Sequence, residues 1–197
     1  YEMSASLVGS EMCIRDSGAT VMAAFTVAVK IDSLAYMPAQ DFGNAFSTFI
    51  GQNYGAKKTD RIQQGIKSAI KISFLFCLII SVGVFIFARP LMTIFIDSSE
   101  TEIINIGVDY LRIEGSFYFG IGILFLLYGF YRATNFPSMS VILTIISLGT
   151  RVGLAYYLAS IPSIGVIGIW WSIPIGWALA DIFGIVYYKR KIKQLHF

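Results

Sequence analysis

The sequence predicts an all-α integral membrane protein, and two observations support this. Of its 197 residues, 56% are hydrophobic and only 14% are charged, with a mean hydropathy of +0.69, whereas soluble domains carry roughly 25% charged residues. The apolar residues also fall into runs long enough to cross a bilayer as helices, which takes about 20 residues. Composition and run length together predict a bundle of transmembrane helices.

The first 17 residues differ from the rest of the chain. They have no helical periodicity, and they lack the ordered basic, apolar and small regions of a signal peptide. Part of this stretch, LVGSEMCIRDS, resembles translated adapter sequence. We therefore expect residues 1–17 to be a non-native leader and the natural N-terminal part to be missing; the alternative is a short polar loop.

Five membrane spans are predicted after the leader, at roughly 20–50, 66–94, 108–131, 138–159 and 164–188. They form one predicted domain over residues 18–188, and residues 189–197 form a basic tail. Pro137 and Pro162 lie at span boundaries. Pro38 and Pro174 lie inside spans, where proline removes a backbone hydrogen bond and predicts a kink.

The basic residues indicate the orientation. They border one side of the predicted membrane rather than forming the basic face of a nucleic-acid binder, so we expect the lipid bilayer as a partner and no nucleic acid. On that side lie Lys57, Lys58, Arg61, Lys67, Arg132, Lys189, Arg190, Lys191 and Lys193. The positive-inside rule then places the C-terminus in the cytoplasm of a multi-pass protein. As a separate expectation, the membrane is the plasma membrane of a bacterium.

Two spans carry small residues at every fourth position, which lets helix backbones approach closely. The first span contains Ala35, Ala39, Gly43, Ser47 and Gly51, and the fifth contains Gly168, Ser172, Gly176, Ala180 and Gly184. Small residues are common in membrane helices, but five consecutive matches in each span favour two packing faces.

Ionisable residues inside the spans are the strongest indication of function, because charge at membrane depth is costly and is kept mainly for transport or for pairing. The outer half of the predicted membrane contains two residues of each sign, namely Lys30, Asp32, Glu114 and Arg151. Such residues either take part in transport or pair only to fix helix register.

The inner half contains two acids, Asp41 and Asp181, without a basic partner at their depth. Lys30 and Asp41 are eleven residues apart, so they share a helix face about 16 Å apart along the axis. Asn44 and Thr48 extend this face into a polar stripe. A carboxylate without a basic partner either titrates or binds a cation. The predicted transport and ion-coupling candidates are Asp41, Asp181 and Glu114, together with Asn44 and Thr48.

Three separated motifs show a family resemblance. The segment KIDSLAYMPAQDFGNAFSTFIGQNYGAKK resembles the second helix of the C-terminal lobe of the multidrug and toxic compound extrusion (MATE) family. Its GQNxGA signature contains Gly51, Gln52, Asn53 and Gly55. The segments YLRIEGSFYFGIG and GFYRATNFPSMSVILTIISLGTRVGLAY are similar to later helices of the same lobe.

The resemblance implies a twelve-helix transporter built from two lobes, of which this chain holds the last five helices. It implies secondary active export of cationic or amphipathic compounds in exchange for Na+ or H+, with no cofactor, and with the absent N-terminal lobe as a partner. Two departures from the family affect the site: the loop reads RATNFP instead of a glycine-rich turn, and the third-span acid, Glu114, lies near the outer end.

Three other classes of protein compete with this interpretation. A lipid-linked oligosaccharide flippase of the same superfamily would line its cavity with more basic residues. A membrane-embedded enzyme would need a motif such as HExxH or GxSxG, and the sequence contains neither. A purely structural membrane subunit would leave the intramembrane charges unexplained.

Overall fold

The computed structural model describes residues 18–161 and 164–192, and within those ranges the chain forms helices and no strands. The predicted leader and the end of the tail lie outside the described residues. We number the α-helices α1 to α6, and a short π-helical turn, Tyr188–Ile192, follows the last of them. The helices are α1 (Ala19–Gly55), α2 (Thr59–Thr93), α3 (Thr101–Gly115), α4 (Tyr118–Ala133), α5 (Pro137–Ala159) and α6 (Gly165–Tyr187).

Four of these helices, α1, α2, α5 and α6, are long and apolar enough to cross a membrane. If α3 and α4 are counted as one bent span, the described part of the chain has up to five. The all-α membrane fold predicted from the sequence is thereby confirmed. Large apolar side chains stay exposed along the outer faces, as on Leu75, Ile79 and Ile86 of α2, where lipid is the natural solvent.

The first two helices are longer than predicted and are joined by a short turn. Helix α1 runs through Pro38 to Gly55, so the GQNYGA signature occupies its last turns and the residue that follows. Lys57 closes the connection with a φ of 54°, a left-handed conformation that is uncommon outside glycine. Arg61, which lies between the first two predicted spans, is in the first turn of α2, and Lys67 lies further along the same helix.

The third predicted span, 108–131, is not one straight helix. It divides into α3 and α4, which are bent by 53° at Ser116–Phe117, and α3 begins earlier, at Thr101. The Ser116 hydroxyl donates to the Arg112 carbonyl at 2.6 Å. Because Gly/Ser pairs are frequent sites of kinks, and serine hydroxyls compete for helix carbonyls, Gly115 and Ser116 account for the break.

The backbones of α1 and α4 approach each other closely. A Cβ at Gly43 would lie 2.9 Å from the Phe125 carbonyl oxygen, and a Cβ at Gly129 would lie 2.5 Å from the Gly43 carbonyl oxygen. Both separations are too short for any side chain. Gly51, lower on the same predicted face, is looser, with Ala133 Cβ 3.9 Å from its Cβ position. Gly43 and Gly129 therefore set the distance between α1 and α4.

The small residues of α6 pack against α4 and α5. A Cβ at Gly176 would lie 2.7 Å from the Ser147 carbonyl oxygen of α5, and one at Gly184 would lie 2.8 Å from the Leu127 side chain of α4. Helix α4 thus lies between α1 and α6, and buried acids from these two helices lie on its two sides.

Candidate functional site

Two carboxyl groups meet at the break between α3 and α4. Asp32 of α1 is 4% exposed and Glu114, in the last turn of α3, is 1% exposed. Their carboxyl groups lie within hydrogen-bonding reach of each other. Because a carboxylate only accepts hydrogen bonds, a hydrogen bond between the two groups forms only when one of them is protonated.

Two tyrosines complete this acid pair, one from each side of the break. The Tyr118 hydroxyl, on the first residue of α4, donates to Asp32 Oδ1 at 2.6 Å. Tyr110, one turn before Glu114 on α3, is hydrogen-bonded to the Glu114 carboxyl. Asp32 therefore contacts both halves of the broken span, through Glu114 and through Tyr118.

An aromatic cluster covers the acid pair on the predicted outer side. The Tyr110 ring packs edge-on against Trp170 of α6, with centroids 5.0 Å apart, and Trp170 stacks on Phe25 of α1 at 5.5 Å. All three side chains are buried. The cluster joins α1, α3 and α6 and excludes water from that end of the site.

Of the two cations predicted for the outer layer, only Arg151 lies near the acids. The positive charge of Arg151 attracts both carboxyl groups of the acid pair, and its side chain lies against Gly176. Lys30 is exposed and forms no ion pair with the described residues. The expected balance of two charges of each sign is therefore absent, because Lys30 points away from the interior that encloses Asp32.

The acid pair keeps one free hydrogen-bonding position. Glu114 Oε2 is buried and has no hydrogen-bond partner among the residues that the structure describes. An unpartnered polar atom in a dry interior is costly, and such atoms frequently mark sites that bind or release something. No group of three or more His, Cys, Asp or Glu side chains that could hold a metal ion exists among residues 18–161 and 164–192.

The predicted polar stripe lies on the surface of the lobe. Asp41, Asn44 and Thr48 are all exposed on α1, in line with Lys30, while the opposite face of α1 is buried against α2, α3 and α4. Asn44 accepts a hydrogen bond from Arg132 Nη2 at 3.4 Å. The inner half of the stripe therefore has the cation Arg132 beside it. The sequence had predicted acids without a basic partner at this depth.

Asp181 lies apart from both groups. It is 7% exposed, and its Oδ1 is buried without a hydrogen-bond partner in the described part of the chain. Its Oδ2 lies 3.8 Å from the Cβ position of Gly120, the third residue of α4. Asp181 thus faces the side of α4 opposite the one that contacts Asp32.

The signature residues lie at the end of α1. Asn53 is buried and its side-chain amide donates to the Phe49 carbonyl at 2.8 Å, whereas Gln52 and Gly55 are exposed. Pro38 is also exposed, within the continuous helix. These positions shape the helix and its end, at a distance along α1 from the acid pair.

The two tyrosines of the acid pair were not among the residues predicted from the sequence. Tyr110, Glu114 and Tyr118 are spaced by four residues, which places them along one face of a helix. That spacing could have identified the two tyrosines from the sequence. Aromatic residues are frequent in membrane spans, however, so the spacing does not stand out.

The comparisons with known proteins agree on one family. Residues 1–157 match the model of the family described as MatE. The chain belongs to the MATE family. Its members are transporters rather than enzymes, and the MATE resemblance predicted from the sequence is confirmed.

Several relatives are similar to this MATE chain in sequence. It is 28% identical over 155 residues to a probable multidrug resistance protein NorM of Thermotoga maritima, covering 78% of this chain and 33% of the relative. It is 33% identical over 162 residues to the multidrug export protein MepA of Staphylococcus haemolyticus, covering 79% of this chain and 35% of the relative. The chain thus spans about a third of these relatives.

Solved MATE structures share the fold over nearly the whole chain. An outward-facing multidrug resistance MATE transporter matches with a TM-score of 0.90 and 26% identity, covering 98% of this chain and 44% of that one. An inward-facing one matches with a TM-score of 0.89 and 25% identity, covering 98% and 45%. This chain therefore corresponds to less than half of a complete MATE transporter.

Proposed function

We propose that this chain is the C-terminal lobe of a proton-driven multidrug exporter. The whole protein would export cationic or amphipathic compounds across a bacterial plasma membrane by alternating access, with an N-terminal lobe as its partner and its C-terminus in the cytoplasm. The observation that carries the proposal is the buried pair of Asp32 and Glu114 at the break of a membrane span.

The acid pair suits a proton better than a sodium ion. Two carboxyl groups that share a hydrogen bond require one proton, and Glu114 Oε2 has no hydrogen-bond partner among the described residues. A bound cation of the Na+ type would need several oxygen ligands converging on it. The hydroxyl groups of Tyr118 and Tyr110 donate hydrogen bonds to these acids. Donors of this kind stabilise a carboxylate rather than a bound metal ion.

The break between α3 and α4 gives the acid pair a means of affecting the lobe. Asp32 is bonded to Glu114 on α3 and to Tyr118 on α4. Loss of the shared proton would set two carboxylates against each other and favour separation of the two half-helices. Similar TM-scores to outward-facing and inward-facing transporters, 0.90 and 0.89, support a lobe that otherwise moves as a unit.

The polar stripe on α1 is the proposed surface for substrates. Asp41, Asn44 and Thr48 are exposed on a helix whose other face is buried. Polar side chains on a membrane helix face a partner or a water-filled cavity rather than lipid. We place the N-terminal lobe opposite this stripe, with Asp41 attracting the positive charge of the substrate.

The test uses the complete gene product that contains this chain, reconstituted in liposomes. We expect a proton gradient to drive export of a cationic dye by the wild type, and Glu114→Gln to abolish it. Glu102→Gln, which alters an exposed acid at the start of α3, is the matched control and should export normally. Gradient-driven export that survives Glu114→Gln unchanged would contradict the proposal.

A lipid-linked oligosaccharide flippase is the second candidate, and Arg132 favours it. This arginine lies beside Asn44 on the exposed stripe, where it could hold an anionic headgroup. For a solved MOP superfamily transporter from Pyrococcus furiosus, the reverse polarity of the binding pocket suggests a different function. Arg132→Gln should leave cationic dye export intact if the protein is a drug exporter and should abolish lipid translocation if it is a flippase.

A further inference from the structure

We propose that Asp181 is a second proton-binding site, separated by α4 from the pair formed by Asp32 and Glu114. This inference rests on the proposed proton-driven export and adds a second proton to each transport cycle. The two sites lie against the same turns of α4, since Tyr118 contacts Asp32 and Gly120 faces Asp181.

Asp181 has the geometry of a carboxyl group built into the interior without a counterpart. It is 7% exposed, and Oδ1 is enclosed with no hydrogen-bond partner among the described residues. Gly120 makes room for it, because Asp181 Oδ2 and the Trp177 Cβ both lie 3.8 Å from the Cβ position of this glycine. A larger residue than glycine at position 120 would compete for the space that the carboxyl group occupies.

The titratable and charged groups on the neighbouring helices are engaged elsewhere. Tyr110 and Tyr118 bond to the acid pair, and the Tyr131 hydroxyl donates to the Gly184 carbonyl at 2.7 Å. The titratable and charged side chains of α3, α4 and α5 that are not exposed are Tyr110, Glu114, Tyr118, Tyr128, Tyr131 and Arg151.

The surroundings favour a proton over any other ligand. A single carboxyl oxygen can hold a proton, whereas a metal cation requires several oxygen ligands, and no cluster of three candidate ligand side chains occurs in the described part. Protonation removes the cost of a charge at membrane depth. The first turn of α4 weakly favours the charged form of Asp181, because the positive end of a helix dipole stabilises an anion. This effect lets the proton leave again.

Access to Asp181 is shortest from the basic side of the lobe. Asp181 is six residues before Tyr187, where α6 ends, which corresponds to about 9 Å along the axis. The exposed Lys189 and Arg190 follow there. The aromatic cluster of Phe25, Tyr110 and Trp170 lies at the other end of the lobe. Asp181 would thus exchange its proton with the predicted cytoplasm.

Infrared difference spectroscopy of the purified complete protein, between acid and alkaline pH, tests the proposal without a transport assay. We expect the carbonyl band of protonated carboxylic acids to lose one component in Asp181→Asn. The same component should remain in the double variant Asp32→Asn, Glu114→Gln. Asp109→Asn, at an exposed position of α3, is the matched control and should leave the component assigned to Asp181 in place.

Two further outcomes separate this proposal from the proposed function. If Asp181→Asn does not fold, Asp181→Glu should shift the frequency of the same component, and an unshifted band would overturn the proposal. In liposomes, protons moved per dye molecule should fall by one in Asp181→Asn. A wild type that exports no dye would refute the exporter, while the infrared band would still decide whether Asp181 binds a proton.

Discussion

The Tyr118 hydroxyl donates to Asp32 Oδ1 at 2.6 Å and so connects the first residue of α4 to the middle of α1. Both side chains are buried, at 1% and 4% exposure. Because Glu114 bonds to the same aspartate from α3, Asp32 bridges the bend of 53° between the two half-helices. The acid pair is thus part of the structure that holds the broken span together.

Tyr118→Phe should destabilise the lobe and loosen this bridge. Removing the hydroxyl leaves Asp32 Oδ1 short of a donor in a dry interior, which costs about 0.5–2 kcal/mol of unfolding free energy. Thermal unfolding in detergent should show a lowered midpoint. Tyr157→Phe, at an exposed position of α5, is the control and should unfold like the wild type; equal midpoints for both variants would contradict the bridge.

Asp32→Asn and Glu114→Gln should not be additive. If the two carboxyl groups share one proton, removing either one already abolishes proton coupling, and the double variant should be no worse. We expect an interaction free energy of about 0.5–3 kcal/mol in a double-mutant cycle on gradient-driven dye export. Additive losses would mean that the two acids act independently. A purely structural charge pair between Glu114 and Arg151 is tested by repeating Glu114→Gln in an Arg151→Gln background. If the pair is structural, Glu114→Gln should reduce dye export only while Arg151 is present.

The sequence allowed the helices and four interior ionisable residues, Asp32, Glu114, Arg151 and Asp181, to be predicted because their signals are local. Apolar runs and charge at membrane depth can be recognised without knowing any contact. The position of Lys30 could not be predicted this way, since depth alone does not decide which side of α1 faces the interior. The exposed position of Lys30 is a consequence of packing between helices.

The break between α3 and α4, at Ser116–Phe117, was missed for a different reason. Hydropathy over a window of about 20 residues averages across a bend, so α3 and α4 together resemble a single span. The features found at the bend are local: the Ser116 hydroxyl donates to the Arg112 carbonyl, and Gly115 beside it has no side chain. Neither alters the apolar content of the segment.

Gly129→Ala should disturb the contact between α1 and α4. The new methyl group would lie 2.5 Å from the Gly43 carbonyl oxygen, which is backbone and cannot move aside alone. Overpacking of this kind costs about 1–3 kcal/mol. Gly149→Ala, where nothing lies within 4 Å of the Cβ position, is the matched control and should be neutral or slightly stabilising. Unfolding midpoints in detergent measure both.

Ser99→Ala should raise the pKa of Asp97 in the loop between α2 and α3. Hydrogen bonds from the Ser99 backbone N–H, at 2.9 Å, and from its hydroxyl, at 2.7 Å, hold the pKa of Asp97 below its ordinary value of 3.8. Because the folded pKa is lowered, the loop gains stability from Asp97 above pH 3.8 and loses it as pH falls through the lowered pKa. A carboxyl NMR titration of the variant should give a higher midpoint; an unchanged midpoint would mean that other donors replace Ser99.

Asp41→Asn should insert normally and lose export of cationic dyes. Asp41 is exposed on the lobe, so its carboxylate takes no part in internal packing and its removal should leave the unfolding midpoint unchanged. Its proposed role is to attract a positively charged substrate across the stripe, where Asn44 and Thr48 lie in line with it. The Michaelis constant for a cationic dye should therefore rise at least several-fold, while that for a neutral substrate of similar size stays the same. An equal loss of export for the cationic dye and the neutral substrate would instead place Asp41 in ion coupling. Unchanged export of both would remove Asp41 from the mechanism.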